Sequence, residues 1–169
     1  ISGDMALIGA PDVDGLGPPD RTDAGQVFLF QDKTASGMTS IAVGPDDHHV
    51  YGAHHFNNEA FVFERDLNDG SLTLRQQTFV QSSYWMGDGA AVAISPDGEY
   101  VYYTSEFEYI VKFPRDPNTG LFTDWFADVA FSDGDPGPKA IALDHSAEHA
   151  YVAFADTDKL AVLARNTTT

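Results

Sequence analysis

Three stretches of the chain repeat one another. Set in register, TSIAVGPDDHHVYGAHH (39–55), AVAISPDGEYVYYTSE (91–106) and KAIALDHSAEHAYVAFA (139–155) each read as a short apolar strand, a turn and a second strand. The second strand carries a tyrosine at the same place every time: Tyr51, Tyr102 and Tyr151. Downstream, AFVFERDLNDGSLTL, IVKFPRDPNTGLFTD and LAVLARN align through Arg65, Arg115 and Arg165, which are 50 residues apart both times. A period of that length means a stack of equivalent units, none of which buries both of its faces alone.

Each unit has a four-strand rhythm. Strand one is apolar (Ile41–Val43, Val92–Ile94, Ile141–Leu143) and a GPDD or SPDG turn follows, where Pro presets φ and Asp or Gly closes the bend. Strand two carries the Tyr, and strand three alternates Phe61/Phe63 or Val111/Phe113. A DLNDG or DPNTG turn leads to strand four, expected over 71–80 and 121–129. Period-two alternation, turns every 8–12 residues and the lack of a helical apolar stripe predict an all-β fold of four-stranded antiparallel propeller blades. The expected layout is a single domain with a partial blade over 1–36, whole blades over 37–87 and 88–137, and a partial blade over 138–169. In the first unit only MALIGAP and GQVFLFQD find counterparts, as strands two and three. Incomplete end blades expose strand edges and apolar faces, so self-association, or the remainder of a longer propeller chain, is expected to complete them. A small closed four-blade ring is the alternative.

The units AISPDGEYVYYTS and VKFPRDPNTGLFT resemble the repeats of the lactonase-type, 6-phosphogluconolactonase-like seven-bladed propellers, over roughly residues 37–166. Residues 3–31, GDMALIGAPDVDG…DAGQVFLF, resemble the FG-GAP repeats of integrin-alpha-type propellers. Both resemblances imply the same architecture. Neither transfers an activity by itself, because one fold hosts many functions.

Charge narrows the partners. The net charge is −17, with 20 Asp and 6 Glu against four Lys and five Arg, a field that repels nucleic acid and anionic membrane. Asp-bearing turns account for the Asp excess, and a salty or calcium-rich exterior would account for the scarcity of basic residues. Extracellular or cell-surface placement is therefore expected. The apolar runs are too short to cross a bilayer as a helix. No signal peptide is visible, and an opening at Ile1 reads as a processed product or a piece of something longer. With no Cys, disulfides and thiol chemistry are excluded.

Four histidines among residues 48–55 suggest a metal site at first sight. Strand geometry opposes this: His48 and His49 point to opposite faces, and His49 and His55 stand about 20 Å apart in an extended strand, whereas zinc needs ligands near 2 Å. In the repeat alignment these are variable positions around strand two, and the plain reading of His54 and His55 is solvated loop residues.

The loops after strands two and four emerge on one face, the expected binding face. It would collect His54, His55, Asn58 and Glu59 from one blade. From its neighbours come Tyr84, Trp85, Glu106 and Glu108, then Asp156 and Asp158. Trp85 and its neighbours suit a protein or carbohydrate contact, or a plug between blades. The DVDG of 12–15 resembles a calcium loop, with Asp12, Asp14, Asp20 and Asp23 as the expected ligands; Leu16 and Pro18–Pro19 depart from the usual pattern. Asn166 opens an Asn-X-Thr glycosylation triplet. No nucleophile elbow or HExxH helix is present, and no catalytic residue is assigned.

These features lead to the expectation of a non-enzymatic extracellular scaffold or binding module, self-assembling, with calcium as the only cofactor considered. The alternatives are a lactonase-like hydrolase whose active centre needs further blades, and a calcium-stabilised adhesion module.

Overall fold

The computed structural model describes residues 37–54, 59–79, 91–105, 109–124, 126–131, 137–154 and 157–165, with the side chains of 126–130 excepted. The expected partial blade over 1–36 lies outside them.

Eleven strands form three antiparallel sheets among the described residues. The first blade is β1 (Met38–Val43), β2 (His49–His54), β3 (Glu59–Arg65) and β4 (Leu72–Phe79), hydrogen-bonded in sequence order. The second repeats that order with β5 (Val92–Ile94), β6 (Tyr100–Thr104), β7 (Tyr109–Pro114) and β8 (Phe126–Ala130). The third has β9 (Ala140–Leu143), β10 (His149–Phe154) and β11 (Lys159–Ala164). No sheet closes on itself, as propeller blades require.

The second blade departs from expectation in its outer strand, which begins at Phe126 rather than 121. Before it, Phe122 makes only an isolated bridge to Arg115. The reason lies in the neighbouring blade. The Gln76 side chain donates from Nε2 to the Phe122 carbonyl at 3.1 Å and accepts from the Phe122 amide at 2.8 Å, taking the place of a strand partner.

The turns explain the aspartates. Gly44–Asp47, Ser95–Gly98 and Asp144–Ala147 are closed by an amide-to-carbonyl bond from fourth residue to first, and the fourth residue has φ of 58°, 72° and 60° respectively. Only in the second blade is that left-handed residue a glycine. The β3–β4 and β7–β8 turns put Gly70 and Gly120 at positive φ, and the Asp66 and Asp116 carboxylates accept the amides of Asn68 and Asn118 at 2.7 and 2.8 Å.

Blades stack through apolar faces. Tyr51, Ala53, Ala60 and Val62 of the first blade meet Val101, Tyr103, Val111, Phe113 and Phe122 of the second. Tyr102 and Ile110 on the other side of the second blade meet Val152 and Phe154 of the third. The short strand β5 packs between β1 and β9, and the Val92 amide donates to Ser40 Oγ at 3.1 Å.

At the turn end of each junction the later blade supplies an arginine. Arg115 Nη1 donates to the Gly98 carbonyl of its own blade at 3.1 Å, while Nη2 pairs with Asp46 and Nε donates to the Tyr51 hydroxyl of the first blade. That hydroxyl in turn donates to the Gly120 carbonyl at 2.7 Å. Burial pushes the Tyr51 phenol up, keeping its proton in place for this bond. The next junction repeats the plan: Arg165 Nη1 lies 3.2 Å from the Ala147 carbonyl and 2.6 Å from Asp97 Oδ2.

Arg115→Ala should lower unfolding stability by about 3 kcal/mol, because it leaves the Asp46 carboxylate at the junction without its cation. Arg65→Ala, which among the described residues removes only a bond to the Asp47 carbonyl, should change less; urea titration of both variants checks the contrast. A second expectation concerns acid. Burial alone would raise the pKa of Asp97, but hydrogen bonds from Arg165, Ser95 and the Glu99 amide outweigh it and hold the carboxyl below its ordinary value. Its contribution is therefore present above the unfolded value near 3.9 and lost as pH falls through the lower folded one. Arg165→Leu should flatten this acid limb of the stability–pH curve.

Candidate functional site

Antiparallel pairing sends the β2–β3, β6–β7 and β10–β11 connections to one end of the stacked blades and the closed turns to the other. The connecting residues 55–58, 106–108 and 155–156 lie outside the described residues. Their strand ends form the floor of the loop end.

That floor is polar and buried. His54, the last residue of β2, is 2% exposed, and Glu59, the first of β3, is 4% exposed. The imidazole lies 6.1 Å from the Phe61 ring, centroid to centroid. Gln77 Nε2 donates to Glu59 Oε1 at 2.7 Å across the β3–β4 pair. At the position of His54 the second blade has Ser105, fully buried, and the third has Phe154. The Ala91 amide donates to Thr104 Oγ1 at 2.9 Å, tying the entry of β5 to the same end. Thr157, beside Asp158 at φ 50°, has a buried Oγ1 without a partner among the described residues. A buried imidazole and a buried carboxylate stand at the two ends of one hairpin connection, which makes this the candidate for chemistry at the loop end.

Several sequence expectations are corrected or left aside here. His54 is not a solvated loop residue: it is the last residue of β2 and only 2% exposed. His48 and His49 both line a cleft at the turn end, whereas His54 ends β2 at the other end of the blade. His49 points to the turn end, with Nδ1 2.9 Å from Asp46 Oδ2 and its ring packed directly on Gly120, where a Cβ would fall 2.3 Å from the imidazole. Burial lowers its pKa, opposed by Glu64. Among the described residues no three His, Asp or Glu side chains gather as a metal-holding group. His55, Asn58, Tyr84, Trp85, Glu106, Glu108 and Asp156 lie outside the described residues, as do the expected calcium ligands Asp12, Asp14, Asp20 and Asp23, and Asn166.

A cleft of about 530 Å³ opens at the turn end between the first two blades, lined by Asp46, His49, Glu64, Arg75, Asn118 and Leu121 among others. Sequence reading missed it. Its charges cancel locally, Arg75 pairing with Glu64 and Arg115 with Asp46. The Asp46–His49 pair has the form of a base and its orienting carboxylate, and the imidazole lines the cleft while packed against Gly120.

Stacked four-stranded antiparallel blades with strand one innermost define a β-propeller. The family model described as Lactonase, 7-bladed beta-propeller matches residues 31–169, and the chain belongs to that family. No curated protein matches it. Among solved structures, a Bacteroides fragilis protein provisionally described as a 6-phosphogluconolactonase is 19% identical with a TM-score of 0.66, covering 79% of this chain and 36% of its own. A Lactobacillus plantarum protein is 22% identical (TM-score 0.66; 77% of this chain, 38% of that one). The periplasmic gluconolactonase of Pseudomonas aeruginosa is also 22% identical (TM-score 0.62; 79% and 37%). The chain thus spans little more than a third of the length of these structures. The comparisons support the lactonase resemblance and give none to the FG-GAP one, whose residues 3–31 lie outside the described structure and, but for the last, outside the family match.

Gln77→Leu should cost about 1–2 kcal/mol, since Glu59 loses a donor that buried oxygen needs. The neighbouring Gln76→Leu tests the blade–blade amide clamp in the same denaturant titration, with a similar loss expected.

Proposed function

We propose that this chain supplies blades of a propeller that hydrolyses an uncharged sugar lactone at its loop end. The observation that carries the reading is the family match over residues 31–169; the buried His54 and Glu59 supply the first residues to test. Opening a lactone requires water activated by a base and a donor for the developing oxyanion. His54 is the candidate base, with Glu59 positioned by Gln77 beside it. The net charge of −17 disfavours a phosphorylated lactone, which would approach against the protein's field. This replaces the scaffold reading as the preferred one, because the family match favours a hydrolase.

The test follows ring opening of δ-gluconolactone and its 6-phosphate, with the spontaneous rate subtracted. Turnover of the neutral lactone is expected, with the phosphorylated one turned over less well and the gap narrowing as salt screens the field. His54→Gln should lower kcat by about 100-fold or more with the urea midpoint retained. Ring opening no faster than the spontaneous rate would sink the hydrolase reading and restore the scaffold.

A further inference from the structure

The cleft between the first two blades at the turn end has a wall that the repeat alone does not make. Val62 pairs with Gln76 and Phe63 with Leu74, so β4 carries one residue more than its partner, and that residue is Arg75. In a regular strand Arg75 and Gln76 would point to opposite faces, whereas a bulge turns both to one. That face is the one on which Val62 packs against the second blade. There Gln76 clamps Phe122, and Arg75 enters the cleft beside Glu64, with which it pairs. The second blade has a bulge between Ile110 and Val111. With Arg65 and Arg115 aligned, those are the places of Ala60 and Phe61. The irregularity at Arg75 therefore belongs to the first blade and not to the repeat.

The lining has a definite chemistry. Its charged residues are matched among the described residues: Arg75 by Glu64, and Asp46 by Arg115 and by His49 Nδ1 at 2.9 Å. The Arg75 and Glu64 side chains nevertheless stay 51% and 47% exposed, so the pair still offers N–H donors and carboxylate lone pairs to a guest. Asn118 adds an amide, and Pro117 and Leu121 add apolar surface. A charged guest would have to break one of these pairs or enter unpaired. A hydroxyl donates and accepts at once, and so adds to the pairs without displacing either partner. The volume of about 530 Å³ is that of a small-molecule site, with room for a mono- or disaccharide.

We propose that this cleft binds an uncharged, hydroxyl-rich ligand, a neutral mono- or disaccharide, with the Arg75–Glu64 pair as its polar anchor. It lies at the opposite end of the blades from His54 and Glu59, so the proposal does not rest on the hydrolase reading.

Saturation-transfer difference NMR on the full chain tests it. The probes are glucose, galactose, maltose and cellobiose, with glucose 6-phosphate and glucosamine as charged counterparts. Transfer to the ring protons of at least one neutral sugar is expected, and weaker transfer to the charged ones. Arg75→Leu and Asn118→Ala, both at exposed positions, should each weaken the Kd about tenfold with the urea midpoint retained. His54→Gln should leave that Kd unchanged. No transfer to any neutral sugar overturns the proposal, and so does equal binding of the charged counterparts. Binding lost with His54→Gln but kept with Arg75→Leu would put the sugar at the loop end and overturn it as well.

Discussion

The blades are held in register by a guanidinium shared between neighbours. Arg115 belongs to the second blade through its backbone and the Gly98 carbonyl, and to the first through Asp46 and the Tyr51 hydroxyl. The apolar faces alone would hold two blades together without fixing how far one slides on the other, since burial energy is non-directional. The planar fork of arginine has direction. Its side chain is 2% exposed, so each donor must find its acceptor or the junction loses the desolvation energy of a buried charge. Small displacements are therefore penalised at the turn end. The Gln76 amide, bonded both ways to Phe122, does the same farther out along the junction.

Much of this was legible in the sequence and some was not. The 50-residue recurrence of Tyr and Arg announced the strand order, and the GPDD, SPDG and DPNTG patterns announced the turns, because those residues act through local backbone preference. The pairing of Arg115 with Asp46 was not announced. It joins residues 69 apart in the chain, and only the stacking of one blade on another brings them together. A signal was present all the same: Asp46 and Asp97 recur in step with the tyrosines and arginines, and three recurring polar positions in one repeat are more than a solvated surface needs. The late start of β8 was illegible for the same reason, being decided by a side chain of another blade. His54 was misjudged because its repeat counterparts, Ser105 and Phe154, share no chemistry. What they share is burial, which variable identity conceals.

The two ends of the blades answer to different constraints. At the turn end, identity matters where the junction uses it: Asp46 and Asp97 give a carboxylate to an arginine, Asp47, Gly98 and Ala147 sit at positive φ, and Gly120 has an imidazole against it. At the loop end the same strand positions accept histidine, serine or phenylalanine, provided they bury. A fold arranged this way can change its chemistry at one end without disturbing the contacts that keep blades aligned at the other. The buried pair of His54 and Glu59 stands where that freedom is greatest.

The third blade shows how the junction varies along the array. Its turn has Ser146 where the others have Asp46 and Asp97, and the Asp144 carboxylate beside it is occupied by the His149 ring at 2.9 Å and by the amides of Glu148 and His149. The two junctions among the described residues each set an arginine against a carboxylate at the Asp46 and Asp97 positions. A neutral hydroxyl holds a guanidinium less strongly than a carboxylate does, so the charge pair that fixes register is built into the turns of the first two blades and not into that of the third.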